Sequence, residues 1–294
     1  MTDITAPPAT GVVVAQPGYS AELPPWRLLL RRPTFLVGAA ILLFWVVCAI
    51  FGSAIAPHDP LAQQLLATNQ PPSAAHWFGT DQLGRDVFSR IVAGVRYILL
   101  VSLLATVLGT VLGTAIGLVM GYLGGVADIV VGRLIEAVLA FPLVVLAFLF
   151  VVALGTSPPV IIFVVGFVFT PIIARTVRSA VLVESQLDYL SSARLLGEKP
   201  AYIMFTEITP NVLPTVLVEF TVRLGYAIFA VASLSFLGFG VQPPTPDWGA
   251  DIAVNYVTLG AGYWWQTLFA ALAIASLVIA INLVTDSIEQ VIAS

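Results

Sequence analysis

Charge is scarce in this sequence of 294 residues: Asp, Glu, Lys and Arg together make up 10% of it, against about 25% in a typical soluble protein. Lysine occurs once, as Lys199 in the string GEKP. A phosphate-cradling P-loop needs a Lys followed by Ser or Thr behind a glycine-rich loop, so the chain has no such ATP site. Cysteine also occurs once, as Cys48. That excludes an intrachain disulfide and reads as a buried apolar thiol. The two histidines, His58 and His76, have no cysteine neighbours and no HExxH spacing, so no metal site is expected. A GxSxG nucleophile elbow is missing as well. The net charge is −4 without a basic tract, which offers nothing for nucleic acid to bind.

What remains is apolar. Hydrophobic residues are 59% of the chain, and the few charges bound uncharged stretches at 34–56, 97–127, 137–174, 224–246 and 252–285. A helix needs about 20 apolar residues to cross a bilayer, so the fold class is an all-α polytopic membrane protein. Six spans are expected, near 35–55, 98–121, 136–154, 160–174, 213–235 and 265–285, with GTSPP at 155–159 dividing the longest block. The first 25 residues, rich in Pro, Ala and Thr, lack the basic start and apolar core of a signal peptide. The chain divides into a disordered tail (1–33), a first span with its following segment (34–97) and a core of five spans (98–294).

Basic residues set the expected orientation. Arg27, Arg31 and Arg32 precede the first span, which puts the N-terminus in the cytoplasm. Alternation then leaves eight basic residues inside and three (Arg85, Arg90, Arg96) outside, with Arg223 within the fifth span. Both termini are cytoplasmic in this reading, and residues 175–212 face the cytoplasm.

Three features interrupt the spans. Gly109, Gly113, Gly117 and Gly121 recur every four residues, a bare stripe that lets helix backbones approach closely in lipid. It serves either packing within one subunit or a surface that pairs or slides between subunits. Pro142 is expected to kink the third span. Glu219 and Arg223 lie at i and i+4, where they can neutralise each other. Each costs about 2.5–3.5 kcal/mol to insert at the centre of a bilayer, so the pair is either structural or lines a pathway. A self-sufficient ion-coupled transporter should show more intramembrane charge than this.

The polar string SSARLLGEKPAYIMFTEITPN (191–211) stands apart from its surroundings. Residues 188–196 read as a short helix with Leu190, Ala193 and Leu196 on one face and Arg194 away from it. Gly197 is a natural helix stop, and Pro200 suits the first turn of a second helix that carries Tyr202, Ile203, Met204 and Phe205 and ends near Pro210. Each helix is too short to be stable alone. The elbow therefore either docks into a groove on another protein or lies on the membrane surface.

At these residues the chain resembles a family. DYLSSARLLGEKPAYIMFTEITPN (188–211) is similar to the EAA loop of ABC importer permeases in its peptide-importer form, D-Y-V-x-A-A-R-x-L-G…I…H-I-L-P-N. Asp188, Tyr189, Ala193, Arg194, Leu196, Gly197, Pro210 and Asn211 match. Ser192, Glu207 and Thr209 replace an Ala, a His and a Leu. HWFGTDQLGRDVFSRIVAG (76–94), DIVVGRLIEAVLAFP (128–142) and LSFLGFGVQPPTPDWGADI (234–252) resemble further blocks of the C-type permease subunit of dipeptide, oligopeptide and nickel importers. The closing NLVTDSIEQVIAS departs from that family's G-L-R-D-x-L-D-P tail.

The resemblance implies a type I ABC importer permease in the cell membrane that translocates di- or oligopeptides by alternating access; nickel or another small solute is the alternative cargo. It implies a second permease subunit, two ATP-binding subunits that hold ATP and Mg, and an external solute-binding protein. This chain would then hold no cofactor of its own. Coupling to the ATPases is assigned to Asp188, Tyr189, Ala193, Arg194, Leu196, Gly197, Pro200, Tyr202, Phe205 and Glu207, with a short loop at 128–133 touching them too. The block at 76–94 is either a brace or a dock for the binding protein, with an interfacial helix feeding the second span. The block at 234–252 reads as a gate-like segment on the outer side or a simple loop, with Gly238, Gly240, Pro243, Pro244, Asp247 and Trp248 on that side and the last two exposed.

Overall fold

The structure is a computed structural model that describes residues 25–292. Most of the expected tail lies outside these residues. Where it overlaps them, Pro25–Leu30 forms a short helix, α1, rather than disorder, and packs beside α2 and α11. Among the described residues the repeating structure is all helical, with one isolated β-bridge between Thr80 and Asp86.

Among the described residues, five helices are long and apolar enough to cross a membrane. They are α2 (Pro33–Ile55), α3 (Val87–Leu123), α6 (Pro158–Glu184), a continuous helix over Pro200–Phe236, and α11 (Trp265–Ile292). The expected third span is two helices, α4 (Gly125–Leu139) and α5 (Leu143–Leu154), bent by 90° where the kink was expected, and the pair makes a sixth span when taken together. The break falls at Phe141 and Pro142. Proline disfavours helical geometry in the residue before it, and Pro142 becomes the N-cap of α5.

The helices α6 and α11 run on to Glu184 and Ile292, past their expected spans, and two further helices overrun theirs. The 37 residues of α3 measure about 55 Å at 1.5 Å per residue, well beyond an apolar core of about 30 Å. The extra turns are at its start: the interfacial helix and the second span are one helix, capped by Asp86, whose carboxylate accepts from the Ser89 amide at 2.8 Å. The other runs past Pro210. It begins as α8 (Pro200–Tyr202), widens to a π turn over Ile203–Ile208, and continues as α9 (Thr209–Phe236). Proline inside a helix clashes with the carbonyl four residues back. The wider turn shifts the pairing ahead of it, so that the Thr209 amide bonds the Met204 carbonyl. The expected stop near Pro210 is therefore a π turn instead.

The glycine stripe faces α6. A Cβ built on Gly109 would lie 2.8 Å from the Gly166 carbonyl oxygen, on Gly113 2.7 Å from Ile173 Cβ, on Gly117 2.7 Å from the Ala174 carbonyl oxygen, and on Gly121 2.7 Å from Val181 Cβ. Backbones in direct contact leave no room for side chains, and this seam forms the centre of the fold. Outward, α2, α5 and α9 present Leu43, Ile50, Val145, Leu149, Leu217 and Phe229 to the surroundings, as lipid-facing helices do.

The connections segregate onto two faces. The loop face carries residues 56–86 and 237–264, including α10 (Trp248–Asn255). The elbow face carries α7 (Asp188–Leu195), α8 and the turn between α3 and α4.

Candidate functional site

On the elbow face, α7 ends in a Schellman motif. The Gly197 amide bonds the Arg194 carbonyl at 3.1 Å and the Glu198 amide bonds the Ala193 carbonyl at 3.2 Å, which satisfies two terminal carbonyls. Gly197 adopts φ +77°, and a Cβ there would meet nothing within 4 Å. Backbone conformation, not space, is what requires glycine.

The elbow is anchored from beneath. Leu190, Ile203 and Ile208 are fully buried. Tyr189 donates to Glu184 Oε1 at 2.5 Å, and Asn211 Nδ2 reaches Glu184 Oε1 at 2.9 Å, the Tyr189 hydroxyl at 2.8 Å and the Glu207 carbonyl at 3.1 Å. This clasp joins the end of α6, α7 and the start of α9. The Arg194 guanidinium lies 5.2 Å from the Tyr122 ring centroid, a cation–π contact that ties α7 to the end of α3. Asp188 sits in the first turn of α7 and Arg194 in its last, the arrangement the helix dipole favours.

The tip is uncovered. Leu195 and Leu196 are 90% and 82% exposed, and Tyr202 and Phe205 are exposed too, beside Glu198, Lys199 and Pro200. Leu196 was expected to share one face with Leu190 and Ala193, yet Leu190 is buried and Leu196 is not. It is the C-cap residue of α7, where the turn toward Gly197 carries it away from that face. The region expected as a loop at 128–133 is the first half of α4. Its Asp128 pairs with Arg178 of α6 at 2.5 and 2.7 Å, at the edge of a cavity of about 410 Å³ that Arg133, Glu136 and Arg175 also line.

On the loop face, Gly238 (φ +88°) closes α9 with a second Schellman motif: its amide bonds the Ser235 carbonyl, and that of Phe239 bonds Leu234. Gly238, Pro243 and Pro244 are exposed and Gly240 is buried. Asp247 and Trp248 were expected to be exposed; both are buried, at 3% and 1% exposure. Trp248 Nε1 donates to the Ile91 carbonyl at 2.8 Å, and its ring packs edge-on against Trp45. Asp247 caps α10, accepting from the Ala250 amide at 3.0 Å and the Ser235 hydroxyl at 2.9 Å. An indole with a satisfied N–H and a capping carboxylate stabilise more by anchoring α10 than by facing water.

Arg90 is the hub of this face. Its guanidinium reaches Asp251 (NH2 to Oδ1 2.5 Å, Nε to both oxygens at 3.1 and 3.2 Å) and the carbonyls of Pro60 and Pro244 at 3.2 and 3.3 Å.

Burial pushes the Asp247 carboxyl above its ordinary value, against the Ala250 and Ser235 hydrogen bonds. A raised carboxylate binds its proton more tightly in the folded state. Its contribution is therefore complete below about pH 4, the unfolded value, and is lost as pH rises through the folded value. Asp247→Asn keeps an acceptor for the Ala250 amide and cannot ionise. In melting experiments the variant is expected to gain on the wild type as pH is raised from about 4 to 8. A constant difference across that range would refute the assignment.

Within the spans, Arg223 Nε donates to Glu219 Oε2 at 2.9 Å, and Thr176 of α6 donates to Glu219 Oε1 at 2.9 Å. The Arg223 guanidinium lies 5.5 Å from the Tyr226 ring centroid, at the edge of a largely apolar cavity of about 330 Å³ shared with Leu143, Phe169 and Phe229. Sequence spacing foresaw the pair but not Thr176 or the cavity, which depend on how α5 and α6 pack. The Asp128–Arg178 and Arg90–Asp251 pairs were likewise not foreseen. They span 50 and 161 residues, with no local pattern to show them.

Comparison with known proteins agrees with this architecture. Residues 113–294 match the family model for the binding-protein-dependent transport system inner membrane component, and residues 25–72 match that for the N-terminal TM domain of oligopeptide transport permease C. Among curated relatives, the dipeptide transport system permease protein DppC of Bacillus subtilis is 34% identical over 94% of this chain and 87% of its own. The probable D,D-dipeptide transport system permease protein DdpC of Escherichia coli is 34% identical over 90% and 89%. The glutathione transport system permease protein GsiD of Pectobacterium atrosepticum is 35% identical over 90% and 88%. Among solved structures, a chain of the MetNI methionine ABC transporter in an inward-facing conformation superposes with a TM-score of 0.54 at 21% identity, over 70% of this chain and 96% of that one.

Proposed function

The chain belongs to the family of binding-protein-dependent transport system inner membrane components, and from that premise we propose that it is one of two permease subunits of an ATP-driven importer of di- or oligopeptides. The elbow face is cytoplasmic, both termini with it, and the loop face meets an external solute-binding protein. Two separate ATPase subunits hold ATP and Mg and dock on the elbow. The peptide assignment draws on the names of the relatives, which specify dipeptide, D,D-dipeptide and glutathione transport.

One observation carries the coupling role: a tip of exposed Leu195, Leu196, Tyr202 and Phe205 on a rigidly anchored base. A coupling element must transmit displacement, so its base must not yield. Leu190, Ile208 and the Tyr189–Glu184–Asn211 clasp fasten it to α6 and α9, the same two helices that hold Thr176, Glu219 and Arg223. A push on the tip reaches the spans through these contacts. Closure of the ATPases must favour one arrangement of the spans over the other, because contact alone shifts no equilibrium.

The test is peptide uptake into liposomes holding both permeases, both ATPases and the binding protein. Uptake should require ATP. Gly197→Val should reduce it about tenfold or more while the protein still inserts, because a side chain at positive φ costs about 1–2 kcal/mol. Gly197→Asn, which tolerates that region, should stay near wild type. A cysteine at Leu195 should cross-link to an ATPase subunit. Uptake by this chain alone under an ion gradient, or a Leu195 cross-link to no nucleotide-hydrolysing partner, would overturn the reading.

A further inference from the structure

Both histidines of the chain converge on one carboxylate. His76 Nδ1 lies 2.9 Å and His58 Nδ1 3.8 Å from Asp86 Oδ1, and the three ligand atoms lie within 4.8 Å of one another. They come from separate pieces of chain: His58 follows α2, His76 lies in the middle of the loop, and Asp86 caps α3. We propose that these three residues form a binding site for one borderline divalent transition cation, of the Zn²⁺ class, on the loop face.

The atoms suit that chemistry. Zn²⁺ binds imidazole nitrogen and carboxylate oxygen at about 2.0–2.2 Å, and a tetrahedral arrangement of such bonds separates ligand atoms by roughly 3.4 Å. The observed 2.9 and 3.8 Å bracket that value, so shifts of a few tenths of an ångström complete those two edges. Two nitrogens to one oxygen favour a borderline metal over Ca²⁺ or Mg²⁺, which prefer oxygen.

The carboxylate is already oriented. Its other oxygen, Oδ2, accepts from the Ser89 amide at 2.8 Å and the Ser89 hydroxyl at 2.7 Å, the outer support that metal-binding carboxylates use. Oδ1 is left facing the two rings. The His58 backbone amide bonds the same Ser89 hydroxyl at 3.2 Å, which fixes where that ring starts.

His58 separates a metal site from a simple staple. A His76–Asp86 hydrogen bond alone would serve to brace the loop and would leave His58 without a role. Yet His58 Nδ1 is buried and has no hydrogen-bond partner among the described residues. A buried polar atom without a partner is costly, and a cation at the cluster would satisfy it. The ring also lines a cavity of about 510 Å³ with Pro57, Asp59 and Arg96, which provides a route in. The bound ion would clamp residues 57–58 and 76 to the start of α3.

The test uses the purified full-length protein in detergent, stripped with EDTA and titrated with Co²⁺ and then Zn²⁺. The wild type is expected to show the visible bands of tetrahedral Co²⁺ and to retain one Zn²⁺ per chain after desalting. His58→Ala should bind at least about tenfold more weakly while its melting temperature in EDTA matches the wild type. His58→Gln, which keeps most of the bulk, is run beside it and should behave alike. Equal retention by wild type and both variants, or retention by none, would overturn the site. Neither result depends on which solute the permease carries.

Discussion

Replacing Arg90 with alanine is expected to destabilise the protein by about 3–5 kcal/mol, because it strands a buried carboxylate. Arg90 is 4% exposed, and Asp251 is buried beside it. The guanidinium meets both Asp251 oxygens and two carbonyls from different segments, Pro60 and Pro244. Removing it takes this donor from four acceptor oxygens at once. Arg90→Lys should recover little, since an ammonium is a point charge and cannot span that fan of acceptors. Replacing both partners by Arg90→Met and Asp251→Leu should cost less than Arg90→Ala alone, because the unpaired charge is removed. Melting of the purified variants in nanodiscs measures all three. A loss below about 1 kcal/mol for Arg90→Ala, the size of a surface pair, would show that Arg90 is not the hub.

Gly117→Leu should prevent α3 and α6 from packing and leave no folded protein to purify. A Cβ at Gly117 would lie 2.7 Å from the Ala174 carbonyl oxygen and 2.8 Å from Val177 Cβ. The first of these belongs to backbone, which no rotamer change can move. Even Gly117→Ala should cost about 1–3 kcal/mol as overpacking. Gly132 is the control. It lies in α4, and a Cβ there meets only Met120 Cε at 3.8 Å. Gly132→Ala should be neutral or stabilising by up to about 1 kcal/mol from helix propensity. Monodispersity on gel filtration and melting temperature separate the two positions. Wild-type behaviour of Gly117→Leu would mean that the seam can open.

The differences between expectation and structure have a common physical origin. Hydropathy finds where a chain enters lipid but not where a helix ends. Thus α3 and α6 run on past their apolar stretches, and the helix from Pro200 runs through Pro210 by widening its turn. Asp247 and Trp248 read as exposed because Gly and Pro surround them, yet Ser235 and Ile91 hold them inside. The elbow was more legible, since Gly197 and Pro200 act within their own turns.

By itself the sequence determined the local quantities: long apolar stretches that must be membrane helices, a stripe of glycines, a polar elbow with its glycine stop, and the lack of any phosphate-cradling loop. Each depends on neighbours within a turn or two, so composition and spacing suffice. Only the tertiary structure decided which helix the glycines meet, the partners of Arg90 and Arg178, the burial of Trp248, and the meeting of His58, His76 and Asp86. Those contacts join residues far apart in the chain, and their energy exists only once the helices have packed.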